Sequence, residues 1–331
     1  GRGLRDARGM MRIALSVFLC LLSGSTPADR SHENGLFVPP DGHAILIVGQ
    51  DLDSIEGYAR EVHPTPGGVT TYTDLSESDH ARLLYGLEDS VSWGAGPVNA
   101  QTLVDAYPSS VLVIGLNLVD HTGTNLQHLA DGTHDEAIRE LGRFIRATDR
   151  PVLLRIGYEF DGPWNHYEPA GYVAAFRAIV RVLRESKASN VATVWQSATS
   201  PFGRFEGRPF LDWYPGDDVV DWFGTSYFLY DEAVQAEFLA LAREHGKPVL
   251  VSEAAPQGYD LTDGTHSPPD DGRNRRPVTA DAIWAAWYAP FFSFVRSNSD
   301  VIRGVAYINA DWNSQPMWAP GAGNGYWGDS R

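Results

Sequence analysis

The stretch LLRIGYEFDGPWNHY, residues 153–167, is the one whose reading decides the fold. It opens as an apolar run, with Pro151 and Val152 before it, and ends on a carboxylate, Glu159. It then breaks into a loop carrying Phe160, Gly162, Trp164 and Tyr167. A carboxylate at the tip of a buried-type strand is costly unless it finds a partner, so stability alone does not explain it. Working outward, runs of the same apolar, β-branched kind recur: Ala44–Val48, Val69–Thr73, Val111–Leu116, Val152–Tyr158, Val191–Trp195, Val219–Tyr227, Pro248–Val251 and Val301–Ile308. Continuous runs of this length suit strands covered on both faces, where an alternating pattern would suit a half-exposed sheet.

Helical patterns separate the runs. They are Asp51–Val62, Val98–Tyr107, His134–Ala147, Ala170–Ser186, Asp231–His245 and Ala280–Ser297. Pro169 and Gly246 stand where helix punctuation belongs. The connection around Ser76–Gly86 carries the weakest pattern. Eight strands alternating with helices predict an α/β chain with a single (β/α)₈ TIM barrel. A doubly wound open sheet is the rival, but it favours a Gly-rich phosphate turn after the first strand, and Gly49-Gln50-Asp51 is not one. No helical pattern follows Trp312, which reads either as a truncated chain or as a barrel lacking its last helix. The polar stretch Gln257–Pro277 reads as a cleft wall or a mobile insertion.

Composition narrows the function. The chain has 331 residues and a formal charge of −16. Such a charge repels phosphate backbones and anionic lipid, so no nucleic-acid or membrane partner is expected, whereas a neutral or cationic substrate is compatible. Ten tryptophans, within 11% aromatic residues, exceed ordinary core needs and suit the ring platforms of sugar clefts. Residues 1–28 read as upstream sequence and a signal peptide: Met10-Met11-Arg12, an apolar Ile13–Leu22, then small residues to Ala28. The mature protein is therefore expected to be secreted, extracellular or periplasmic, with residues 40–331 forming one catalytic domain. Cys20, the single cysteine, falls within the signal. A monomer is expected.

Barrel chemistry sits at the C-terminal ends of strands. Two glutamates end apolar runs there: Glu159, and Glu253 in PVLVSEAAPQG, residues 248–258. Each alone is explained by a salt-bridged strand end. Together, on the fourth and seventh of eight strands, they face each other across the barrel mouth. Two neighbouring carboxyls split their pKa values, leaving one as proton donor and the other as nucleophile. Retaining glycosidases use such a pair, roughly 5–5.5 Å apart. No HExxH, CxxC or GxSxG motif occurs, and the other acidic clusters read as a helix cap (Asp51, Asp53, Glu56) or loop acids (Asp217-Asp218, Asp270-Asp271).

The segments LLRIGYEFDGPWNHY, VWQS (194–197), WYPGDDVVDWFGTSYF (213–228) and VLVSEAAPQG (249–258) resemble glycoside hydrolase family 26, within clan A, from about Gly42 to the end. That resemblance implies Glu159 as acid/base, Glu253 as nucleophile, retention of anomeric configuration, and neither metal nor cofactor in the chemistry. Two departures touch the sugar floor. Tyr158 stands where mannan-cleaving members usually have His, and Ala254-Ala255-Pro256 follows the nucleophile in place of Phe-Gly. With ILIVGQDLDSIEGYA (45–59), they favour the β-1,3-xylanase branch over β-1,4-mannanase. A non-catalytic glycan-binding barrel is the alternative from another class.

Supporting residues follow from position. Tyr227, ending the sixth strand, is expected to donate to the nucleophile, as the resemblance also implies. The clan places a Trp where Trp312 stands, as floor under the cleaved sugar. Trp164 is a candidate wall. Trp195 at the fifth strand's tip is a substrate contact or core; Trp93 and Trp318 would extend the platform. His166 is a hydroxyl contact or an ordinary loop histidine. Tyr158 points away from Glu159 by strand alternation unless the strand end bulges. Arg155, about four residues deeper on Glu159's face and roughly 13 Å down an extended strand, is expected to neutralise buried acids.

Overall fold

Each of the eight apolar runs becomes a barrel strand. The computed structural model describes residues 36–62, 65–76, 82–120, 123–268 and 272–331. The proposed signal peptide, residues 77–81 of the weakest connection and Asp270-Asp271 lie outside the described residues. The barrel strands are β1 (Ile45–Gly49), β2 (Gly68–Asp74), β3 (Val111–Asn117), β4 (Val152–Ile156), β5 (Val191–Ser197), β6 (Trp222–Tyr227), β7 (Val249–Ala254) and β11 (Ile302–Ile308). All pairings are parallel, and β11 closes the sheet between β7 and β1. This is the (β/α)₈ architecture expected from the sequence.

Alternation splits every strand. Ile47, Val113, Leu153, Ala192, Val194, Trp222, Leu250 and Ala306 fill the barrel interior. Leu36, Phe37 and Val38 plug its base, where the Trp222 indole donates to the Leu36 carbonyl at 2.8 Å. The opposite faces bury Val152, Leu154, Trp195, Phe223, Val249 and Val251 against the helical layer.

The helices are α1 (Leu52–Glu61), α2 (Ala100–Ala106), α3 (Asn125–Asp131), α4 (Asp135–Ala147), α5 (Pro169–Glu185), α6 (Glu232–Glu244), α7 (Ala280–Ile283) and α8 (Ala289–Ser297). Asp51 and Asp231 cap α1 and α6 by accepting from Ser54 N at 3.1 Å and from Ala233 N at 3.0 Å. Helix α3 is an addition to the sequence reading; it is short and polar, and its entry is held by the Asp120 carboxylate on the Gly123, Thr124 and Asn125 amides. The single helix expected over Ala280–Ser297 is broken by one π turn at Trp284–Tyr288. Pro290 has no N–H to return to the preceding turn, and a wider turn relieves the clash of its ring. Among the described residues no α-helix follows β11, and none is long and apolar enough to cross a membrane.

The described residues of the Gln257–Pro277 stretch carry regular structure. They form β8 (Tyr259–Asp260), β9 (Thr265–His266) and β10 (Arg276–Pro277), which join β12 (Gly328–Asp329) in a small sheet. This sheet ties the segment after β7 to the one after β11.

Trp195 belongs to the helical layer and not to the cleft. Its ring is fully buried, stacks on Phe160 at 4.3 Å and donates to the Trp213 carbonyl at 3.1 Å. Trp195→Ala is therefore expected to cost about 3–5 kcal/mol of stability, measured by urea unfolding.

Candidate active site

The site begins where β4 stops being a strand. Pairing ends at Ile156, two residues earlier than the apolar run suggests. Gly157 then takes φ +54° and Glu159 takes φ +53°. A Cβ at position 157 would lie 2.7 Å from the Tyr172 ring, so only glycine fits that turn. At Glu159 the left-handed backbone costs of order 1–3 kcal/mol and has to be held by its surroundings. Asn165 does this, donating from Nδ2 to the carbonyls of Tyr158 at 3.1 Å and Glu159 at 2.8 Å. Phe160 N donates to the Gln196 carbonyl at 3.0 Å and fixes the loop to β5.

This turn brings both Tyr158 and Glu159 over the barrel interior, as the bulge reading requires. The Tyr158 ring meets Tyr72 edge-on at 5.4 Å, and the Arg155 guanidinium carbon lies 5.0 Å from its centroid. Gly115 on β3 makes room, since a Cβ there would come 2.5 Å from the Tyr72 ring and 3.3 Å from that of Tyr158.

Glu253 reaches the interior by a different irregularity. On β6, Thr225 pairs with Val251 and Ser226 with Glu253. On β11, Val305 pairs with Val251 and Tyr307 with Ala254. Both neighbours therefore pass over one extra β7 residue, a bulge that resets the alternation just before the carboxylate.

One buried cation joins the two acids. Arg155 is fully buried, and its Nη2 donates to Glu253 Oε1. Its Nε donates to Gln196 Oε1 at 2.6 Å, Gln196 Nε2 donates to Ser226 Oγ at 3.1 Å, and Ser226 Oγ donates to Glu159 Oε1 at 2.8 Å. The Trp164 indole donates to Glu159 Oε2 at 3.0 Å. Burial, and then the charge of Glu253, push the Glu159 carboxyl up from 4.5 to about 8, against the opposing pull of Ser226 and Arg155. The Tyr72 and Tyr158 phenols are also raised, by burial first and by Glu253 next. One carboxyl thus keeps its proton near neutral pH while the other is ion-paired, which is the division that acid and nucleophile need.

Other expected contacts fall elsewhere. Tyr227 does not donate to Glu253. Strict alternation on β6 sends Trp222, Gly224 and Ser226 inward, and the Tyr227 ring packs outward on Phe291, Tyr230, Phe294 and Trp287 at 4.9–5.8 Å. Arg155 takes the expected role of Tyr227, donating from Nη2 to Glu253. Trp312 is 1% exposed and is covered by Trp327 at 4.8 Å, with Trp318 edge-on at 5.8 Å, so its ring offers no open floor. Trp318 is half-buried and packs against this group. His166 lies in the exposed loop with its ring edge-on to Phe205 at 5.7 Å. Trp164, 47% exposed, is the open ring beside the acids. Gln196, Ser226 and Tyr72 were missed. Counting alternation along β5 and β6 from the interior Val194 and Trp222 would have found the first two.

A closed parallel barrel with carboxyls at the ends of its fourth and seventh strands is thus the frame of the site. No family model matches the chain. The chain is 38% identical over 309 residues to a β-1,3-xylanase from an Alcaligenes species, covering 90% of this chain and 62% of the relative. It is 40% identical over 309 residues to a β-1,3-xylanase from a Vibrio species, covering 90% and 63%. It therefore spans somewhat under two thirds of the length of these curated relatives. A solved GH26 β-mannanase from Bacteroides ovatus superimposes with a TM-score of 0.54 at 14% identity, over 90% of this chain and 85% of that one. That likeness is one of fold. The resemblance to glycoside hydrolase family 26 read from the sequence is borne out.

Two predictions follow from the electrostatics. Arg155→Met leaves Glu253 buried without its counter-charge and should cost about 3–5 kcal/mol in chemical denaturation. Glu159 holds its proton more tightly folded than unfolded, so its stabilising contribution is full below pH 4.5 and is lost as pH rises to about 8. Glu159→Gln should flatten that fall in a Tm-versus-pH series.

Proposed function

We propose that the chain is a retaining endo-β-glycanase whose preferred substrate is β-1,3-xylan. The observation that carries this reading is the pair of inward carboxyls: Glu159, its proton affinity raised by burial and its Oε2 bonded to the exposed Trp164, and Glu253 ion-paired to Arg155. Glu253 attacks the anomeric carbon while Glu159 protonates the departing glycosidic oxygen. Glu159, now ionised, takes a proton from water, which attacks the glycosyl-enzyme ester and releases the sugar with its configuration retained. The Arg155 contact pairs Glu253 with a buried cation and fixes its rotamer. The raised carboxyl of Glu159 lets it act as an acid near neutral pH. The substrate preference is supported by the printed names of the two sequence relatives and by Tyr158 beside the acids. The same reading has the mature enzyme exported by the segment ending near Ala28.

The test is a panel of β-1,3-xylan, β-1,4-xylan, mannan, glucomannan and mixed-linkage glucan, scored by reducing ends with the anomer of the first product followed by NMR. β-1,3-xylan should be cleaved fastest, with the β-anomer released first. Mannan as the preferred substrate would replace the xylan assignment, and binding without cleavage would leave only a glycan-binding barrel. Glu253→Ala should abolish turnover while circular dichroism still shows the folded barrel, at a stability lowered by the loss of Arg155's counter-charge. Glu159→Ala should lower kcat/KM on the polysaccharide by about 10²–10⁴-fold.

A further inference from the structure

Three polar side chains inside the barrel are connected in one direction only. The Nε–H of Arg155 is a donor with no acceptor capacity, so the Gln196 atom 2.6 Å away is the carbonyl oxygen. That sets the amide orientation by chemistry, and the Gln196 NH₂ must then face Ser226 Oγ, 3.1 Å away. With its oxygen accepting from Gln196, the Ser226 hydroxyl sends its own proton to Glu159 Oε1 at 2.8 Å. Every hydrogen bond points from the guanidinium toward Glu159. Gln196 is fully buried and Ser226 is 4% exposed, so water has little access to interrupt the series.

We infer that Gln196 and Ser226 are positioning residues that anchor the Glu159 carboxyl through Oε1 and stabilise its ionised form. This inference rests on the acid role proposed for Glu159. Trp164 donates to the other oxygen, Oε2, at 3.0 Å, so the carboxyl is held from both sides, and the relay sets its position without touching the sugar. The same donor stabilises the ionised form of Glu159, which has to accumulate before it can accept a proton from water in the second step.

Ser226→Ala, Ser226→Thr and Gln196→Met are compared with the parent on β-1,3-xylan and on a dinitrophenyl β-xyloside of the same sugar series. The dinitrophenolate leaves without protonation, so its glycosylation step does not need the acid. Ser226→Ala should lower kcat on xylan by about tenfold or more. It should move the basic limb of its pH profile to higher pH and change pre-steady-state release of dinitrophenolate by under about threefold. Thr should restore both, and Gln196→Met should shift the limb in the same direction. An unmoved limb, or equal losses on the two substrates, would overturn the relay and leave Ser226 a packing residue. Separately, Glu159→Ala retaining normal xylan turnover would remove the acid assignment itself.

Discussion

The contact between Arg155 and Glu253 is the constraint on which the rest of the site depends. Both side chains lie in the barrel interior, where an unpaired charge would be costly and a paired one still contributes little net stability. The value of the pair is therefore not in the strength of the fold. It fixes one ionised carboxylate at a defined height in the barrel. That fixed negative charge is then the second cause, after burial, for the raised proton affinity of Glu159. Remove the cation and Glu253 is left buried without a counter-charge.

Neither acid gets to this arrangement by regular strand geometry. The fourth strand ends early and turns through two left-handed residues, Gly157 and Glu159. The seventh carries one surplus residue before Glu253. In both cases two neighbouring side chains lean inward where a regular strand would send one away. The strain at Glu159 is held by Asn165 and by the Phe160 amide, which donates to the Gln196 carbonyl on the fifth strand. The loop residues that look merely aromatic or polar in the sequence therefore set the direction of the acid.

The tryptophans divide along the same line. Trp195 and Trp213 lie fully buried in the helical layer, stacked around Phe160, and make the platform on which the acid-bearing loop rests. Trp312, Trp318 and Trp327 pack on one another beside the small sheet that ties the two late loops together. Trp164 keeps an open face and a bond to Glu159 at once. An excess of indole rings thus serves packing more than contact with sugar.

By itself the sequence determined the eight strands, their parallel order and the two acids at the tips of the fourth and seventh. Continuous apolar runs and helix punctuation are local signals, and they survive without knowledge of the neighbours. Arg155 as the neutralising cation was legible too, because it shares a strand with Glu159. What only the tertiary structure decided was facing. Tyr227 and Trp195 carried the right chemistry at the right strand ends, yet alternation turns both outward. Ser226 and Gln196, less conspicuous in composition, face inward. The bulge that brings Glu253 inside is a register shift between β7 and both its neighbours, and the turn that brings Tyr158 inside is held by Asn165 and by the loop's bond to β5. A period-2 pattern fixes which residues share a face, but it does not reveal where a surplus residue resets the count.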